Sequence, residues 1–141
     1  MATLKQVIDA FDNYVEGATG LGINCIKGFP DFRQPTLATP LAALFYGGSG
    51  SGSDAVRKRI GASAQAVVVT LGIYASDEVN LFSLAEKLQD MRRRSPIILT
   101  AGSSDQVLAY IGEDQRNTPD AEAPKELRHF TNCSVVLVYE K

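Results

Sequence analysis

Apolar residues recur every three or four positions in two segments, the spacing that places them on one side of an α-helix. The first segment covers residues 3–15 and ends in a glycine-rich stretch. In the second, Ser76 and Asp77 offer an N-cap and Pro96 forbids continuation. The pattern predicts two amphipathic helices with apolar positions at Leu4, Val7, Ile8, Phe11 and Val15, and at Leu81, Leu84, Leu88 and Met91.

Aliphatic and β-branched runs without helical spacing indicate strands. Residues 41–46 and 64–74 are long enough to pair as antiparallel strands across the Gly/Ser stretch between them, because a parallel pair requires a crossover element. Shorter strand candidates are residues 23–26, 97–99, 107–111 and 134–139. The prolines at 30, 35 and 40 favour an irregular, extended segment at an edge of the sheet or between elements.

These elements predict an α+β fold, with a mainly antiparallel sheet of about four or five strands covered on one face by two helices. One domain spans residues 1–141, since this length suits a single core. Two stretches are predicted to be loops. Residues 47–53, GGSGSGS, form a flexible loop, and the polar residues 113–125 form an exposed one.

Composition narrows the classes of protein and partner. Hydrophobic residues make up 45% and charged residues 21%, which excludes a disordered tail, and the net charge of -2 lacks the basic excess of a dedicated duplex binder. No signal peptide and no apolar run of about 20 residues is present, so we expect a soluble protein made in the cytoplasm, without a membrane partner. Cys25 and Cys133 are far apart and form no ligand cluster, so reduced thiols and no metal are expected.

The glycine-rich stretch resembles a phosphate loop only superficially. The gap from Gly47 to Gly52 fits, but Ser53 stands where a phosphate loop has its lysine. The dinucleotide pattern fails in the same way, because its third glycine is missing. We therefore expect no nucleotide cofactor. A hairpin tip that orders when it meets a partner is the better interpretation.

A catalytic site would have to be built around His129, the single histidine, with Cys133 four residues further on. Residues four apart in a strand lie about 13 Å apart, and this segment leads into a predicted strand. No catalytic constellation is predicted.

Two basic runs favour solvated faces, a helix end or salt bridges to a neighbouring subunit, although clustered guanidinium groups also suit a rim beside a DNA channel. With the Gly/Ser loop they form the predicted interaction set: Gly47, Gly48, Ser49, Gly50, Ser51, Gly52, Ser53, Arg57, Lys58, Arg59, Arg92, Arg93 and Arg94.

The outline of the chain is similar to that of the tail terminator proteins of long-tailed bacteriophages. The segments that carry this resemblance are the helix VIDAFDNYVEG, the strand pair PLAALFYGG and AQAVVVTLGIYA, the helix DEVNLFSLAEKLQDMR and the closing strand SVVLVYEK. The resemblance covers nearly the whole chain as an outline and a length, without a fixed motif.

The resemblance implies a structural virion protein without enzymatic activity or cofactor, assembled in the host cytoplasm. Such a protein forms a ring, a homohexamer, on the head-proximal end of the tail tube and stops tube polymerisation. Its implied partners are further copies of itself, the tail tube protein, the sheath protein of contractile tails and the head-neck connector proteins, with passing contact with DNA in the lumen. A ring of this kind requires two different complementary surfaces on each subunit.

Three hypotheses follow. The first is a tail terminator, or another neck or tail-completion protein, that forms a closed ring. The second is a monomeric binding module that acts through its flexible loop. The third is a small α+β enzyme with His129 in a pocket beside a carboxylate or Cys133.

Overall fold

In a computed structural model, the described residues, 2–28, 40–50, 64–116 and 129–140, form two helices and six strands. This confirms the α+β class and both predicted helices. The elements, in chain order, are α1 Leu4–Glu16, β1 Asn24–Lys27, β2 Leu41–Gly50, β3 Ala64–Ala75, α2 Glu78–Arg93, β4 Ile97–Ala101, β5 Asp105–Arg116 and β6 His129–Glu140.

Side chains cap both helices at their amino ends. The Thr3 hydroxyl accepts a hydrogen bond from the main-chain amide of Gln6, and the Gln6 side chain accepts one from the main-chain amide of Thr3. The two bonds form a reciprocal capping box. Asp77 Oδ1 accepts from the Asn80 amide at 2.8 Å, as expected for an N-cap. Gly17 ends α1 as predicted, but its φ of -76° and ψ of 166° are extended rather than left-handed.

One mixed sheet holds all six strands in the order β1-β2-β3-β6-β5-β4. Only the pair β1 and β2 is parallel among the described strands, and the long pair β2 and β3 is antiparallel as predicted. The predicted number of four or five strands was too small, and the parallel pair was not predicted. Pro30 and Pro35 of the predicted irregular segment lie in residues 29–39, outside the described part of the chain.

The pairing of two long strands, β2 and β5, is interrupted by a bulge in each case. The register of β2 against β3 shifts between Tyr46 and Gly48, and that of β5 against β6 shifts between Ile111 and Asp114. At the second shift, a Cβ on Gly112 would lie 2.8 Å from the carbonyl oxygen of Ser134. Glycine is therefore required there for the two backbones to approach.

Both helices pack on the same face of the sheet, where the main hydrophobic core lies. Val7, Phe11 and Val15 of α1 are fully buried against alternate residues of the strands. The sheet is curled, so that α1 contacts both outer strands, β1 and β4. α1 therefore bridges the two edges of the sheet.

The other face of the sheet has no helix among the described elements, yet it carries apolar side chains. Tyr74 and Phe130, neighbours on β3 and β6, have ring centroids 4.5 Å apart. Gly72 lies beneath them, and a Cβ there would come within 2.7 Å of the Phe130 ring. We call this side the helix-free face.

Candidate functional site

The first four residues of the predicted Gly/Ser loop belong to β2 instead, which corrects the prediction at these positions. Gly47, Gly48, Ser49 and Gly50 continue the strand, and the last three pair with Val68, Val67 and Ala66 of β3. Gly48 has a φ of 131°, which an L side chain rarely adopts, so glycine suits the bulge at this point. Ser51, Gly52 and Ser53 lie outside the described residues, as do Arg57, Lys58 and Arg59 of the first basic run.

The predicted polar loop is corrected in the same way. Residues 113–116 form the last part of β5 and pair with β6, and residues 117–125 lie outside the described part of the chain. Polar composition misled the prediction because alternating charged and amide side chains also suit the exposed end of a strand.

The second basic run lies at the end of α2, where positive charge stabilises the carboxyl end of the helix dipole. Arg92 lies 3.8 Å from an Asp114 carboxylate oxygen. Arg94 donates to the carbonyl oxygen of Thr19 at 2.7 Å, which ties the loop after α1 to α2. The side chain of Arg93 is 76% exposed and pairs with Asp90 at 3.6 Å. Arg93 thus presents more of its charge to solvent than Arg92, whose side chain is 36% exposed.

His129 and Cys133 do not form a catalytic pair. Both lie on β6, and four residues along a strand span about 13 Å. Cys133 is buried, and burial raises the pKa of its thiol to about 12, so the reactive thiolate is scarce at neutral pH. The half-buried His129 ring has Nδ1 3.4 Å from the Arg116 guanidinium instead. Within the described ranges, no cluster of three or more His, Cys, Asp or Glu has the geometry of a metal site.

A surface that the sequence analysis missed lies on the first turns of α2. Val79 and Phe82 are 78% and 57% exposed, one turn apart on the helix. The Arg116 guanidinium carbon lies 5.9 Å from the centroid of the Phe82 ring, a cation-π distance, and the same guanidinium pairs with Glu78. Two exposed apolar side chains beside a charge are typical of a protein contact. In the sequence, both residues fall outside the helical stripe of buried leucines. This offset is the signal from which their exposure could have been predicted.

A second apolar surface crosses the helix-free face. Val68, Val136 and Tyr110 lie opposite one another on three adjacent strands, and Ile98 lies opposite Leu108 on the next pair. Ile98 is 65% exposed and Val68 39% exposed, with half-buried neighbours between them. These apolar side chains therefore form a stripe that crosses β3, β6, β5 and β4 on this face.

A cavity of about 260 Å³ opens at one end of that stripe. Leu108 on β5 gives it apolar surface, whereas Val138, opposite Leu108 on β6, is only 1% exposed, and most of the other lining residues are polar. Gln106 and Glu140 lie at its rim and are exposed. The cavity is therefore suited to a positively charged group, with apolar contact available at Leu108.

The sequence matches no known family model and none of the curated proteins with which it was compared. Within the described part of the chain, no helix is long and apolar enough to cross a membrane.

Proposed function

We propose that this chain is a phage tail terminator, a structural virion protein that assembles as a six-membered ring on the head-proximal end of the tail tube. The ring ends polymerisation of the tube, and of the sheath where the tail is contractile. Its other side offers the surface to which the head-neck connector proteins bind. The chain acts in this role through protein contacts and without a cofactor.

One observation supports the proposal most directly: two different apolar surfaces occur on the opposite layers of one small chain. Val79 and Phe82 are exposed on the helix layer, while Val68 and Ile98 are exposed on the helix-free face. A head-to-tail ring needs two such unlike surfaces on each subunit, since every copy contacts one neighbour with each. A monomeric module would need only one.

The way α1 closes the sheet gives further support. Glu16 accepts from the outward-facing Cys25 amide of the edge strand β1, and α1 also contacts β4 at the opposite edge. Because protected edges resist uncontrolled strand pairing, association is directed to the two faces.

The mass of the purified protein tests the proposal. Light scattering after size exclusion should give about six times the 15.2 kDa of one chain, and negative-stain images of that fraction should show a ring with a central hole. If the protein is monomeric in solution, the same ring should form on purified tail tubes and block their elongation. A chain that stays monomeric and leaves tube ends free contradicts the proposal and favours the monomeric binding module.

A further inference from the structure

The exposed end of α2 carries an aromatic side chain with a cation attached to it. Phe82 projects from the helix with Val79 beside it, and the Arg116 guanidinium lies 5.9 Å from the Phe82 ring centroid. Arg116 comes from β5, so two separate elements build this feature. We call Val79, Phe82 and Arg116 the Phe82 knob.

The cavity at the end of the apolar stripe has complementary chemistry. Residue alternation along β5 and β6 turns Leu108 and Glu140 towards the helix-free face, so the cavity places a half-buried aliphatic side chain beside a carboxylate rim. Among the described strand residues, no Lys or Arg points to this face. An aromatic ring that brings a guanidinium with it matches the cavity in polarity and in charge.

The Phe82 knob and the cavity cannot meet within one chain, because they lie on opposite layers of the fold. The knob projects from the helix layer, whereas Leu108 and Val138 line the helix-free side of the sheet. Only a second copy brings them together. This self-complementarity identifies the partner as another copy of the same chain.

We propose that copies of this chain associate head to tail, with Phe82 of one copy packed on Leu108 of the next and Arg116 facing Glu140. This contact would be the subunit interface of the proposed ring, and the inference rests on the proposed tail terminator function. Each copy gives its knob to one neighbour and its cavity to the other, so the contact is heterologous. Arg116 would then lie between Glu78 of its own chain and Glu140 of the neighbour, a charge arrangement that sets orientation.

Disulfide trapping tests this contact and its direction. Val79→Cys places a thiol beside the knob, and Gln106→Cys places one at the cavity rim, both at exposed positions. The native thiols interfere little, since Cys25 and Cys133 are buried and burial raises the pKa of both. On mild oxidation, a mixture of the two single variants should give a covalent dimer, each variant alone should give no covalent dimer, and the double variant should give a ladder of covalent oligomers.

A matched control uses Gln89→Cys, an exposed position about two turns further along α2 than Phe82, mixed with Gln106→Cys. The proposed contact requires that this mixture gives no dimer above the background of random collision. Dimers of Val79→Cys with itself would overturn the proposal, because they indicate a two-fold contact. Absence of the Val79–Gln106 dimer at every protein concentration tested would overturn it too.

The assembly assays separate this contact from the proposed function. Rings that form without the Val79–Gln106 disulfide contradict the contact and leave the tail terminator proposal standing. The disulfide ladder in a protein that neither closes rings nor caps tubes supports the contact and contradicts the terminator.

Substitutions at the contact give a second measurement. Phe82→Ser should raise the concentration for half-assembly at least about tenfold, as expected for an inserted aromatic side chain. At concentrations where neither protein assembles, its melting temperature should be unchanged because Phe82 is exposed. Ser83→Ala is its neighbour control and should assemble normally. Glu140→Arg should weaken assembly, and combining it with Arg116→Glu should restore assembly. An unchanged assembly concentration for Phe82→Ser would contradict the proposal.

Discussion

The side chain of Glu16 accepts a hydrogen bond from the main-chain amide of Cys25, with 3.1 Å between Oε1 and the nitrogen. Glu16 is the last residue of α1, and Cys25 lies in the outer strand β1. An amide on the outer side of an edge strand is a template for pairing with another chain. The carboxylate occupies this amide, so α1 protects the edge of the sheet as well as covering its core.

Glu16→Ala should therefore destabilise the fold by about 1–2 kcal/mol, the usual cost of losing a hydrogen bond to a charged acceptor and leaving a half-buried amide unpaired. Glu16→Gln keeps an acceptor oxygen and should lose less than half of that. Urea unfolding measures both, with Glu86→Ala, an exposed residue of α2, as the control. Equal losses for the Ala and Gln variants would show that the hydrogen bond does not contribute.

Gly72→Ala should cost about 1–2 kcal/mol through overpacking. A Cβ at this position meets the Phe130 ring at 2.7 Å and the Phe45 ring at 3.3 Å, and Phe130 is itself packed on Tyr74. The matched control is Gly17→Ala, where a Cβ meets only carbonyl oxygens at 3.4 Å and the backbone is extended.

A double-mutant cycle identifies the cause. Phe130→Ala removes the ring that obstructs the new methyl group, so Gly72→Ala should cost clearly less in the Phe130→Ala background than in the native protein. Equal costs in both backgrounds would mean that the methyl group clashes with something other than Phe130.

Local spacing was sufficient to predict the helices and the central strands. The α1 stripe places Val7, Phe11 and Val15 at one helical face, and all three are fully buried. The ends of β2 and β5 were missed because partners far away in sequence stabilise them. Gly48 to Gly50 have little strand propensity, but they pair with β3, which overrides the local preference.

The candidate site was much less predictable. The offset of Val79 and Phe82 from the leucine stripe of α2 is visible in the sequence. The cavity is not, because Leu108 and Val138 are thirty residues apart and meet only through the register of β5 against β6. The arginines were correctly placed at the end of α2, yet their contacts with Asp114 and Thr19 depend on the tertiary fold.

Acidification should change the effect of removing the Asp12 charge. Burial raises the pKa of Asp12 above its ordinary 3.8. A hydrogen bond with Cys25 and the Lys27 ammonium at 3.7 Å only partly offset this rise, to which the nearby Glu16 charge adds. A carboxyl group whose pKa is higher in the folded than in the unfolded chain lowers the free energy of unfolding when the pH is above the unfolded pKa. This cost disappears as the pH falls below the unfolded pKa. Asp12→Asn should therefore gain stability relative to the native chain at pH 7, and the gain should vanish near pH 3.

Comparison at each pH is essential here, because Asp9 titrates in the opposite sense. The Lys27 and Lys5 ammonium groups lower its pKa, so its contribution is lost on acidification in both proteins and cancels in the difference. Urea unfolding of the pair at pH 7 and pH 3 provides the measurement. A difference between the variants that grows towards pH 3 would contradict the assignment.

Thr131→Val should stabilise the protein by about 1 kcal/mol. Thr131 is 2% exposed, and its hydroxyl oxygen has no hydrogen-bond partner among the described residues. A buried hydroxyl without a partner loses its hydration without compensation, whereas Val has nearly the same shape and suits a strand equally well.

Two further variants separate the hydroxyl of Thr131 from its methyl group. Thr131→Ser keeps the hydroxyl and removes the methyl, so it should destabilise by about 1 kcal/mol. Thr70→Val, on the helix-free face, should lie within about 0.5 kcal/mol of the native value because Thr70 is only half-buried. Calorimetry measures the melting temperatures of these variants and of the native chain. A lower melting temperature for Thr131→Val than for the native chain would mean that the hydroxyl is hydrogen-bonded in solution.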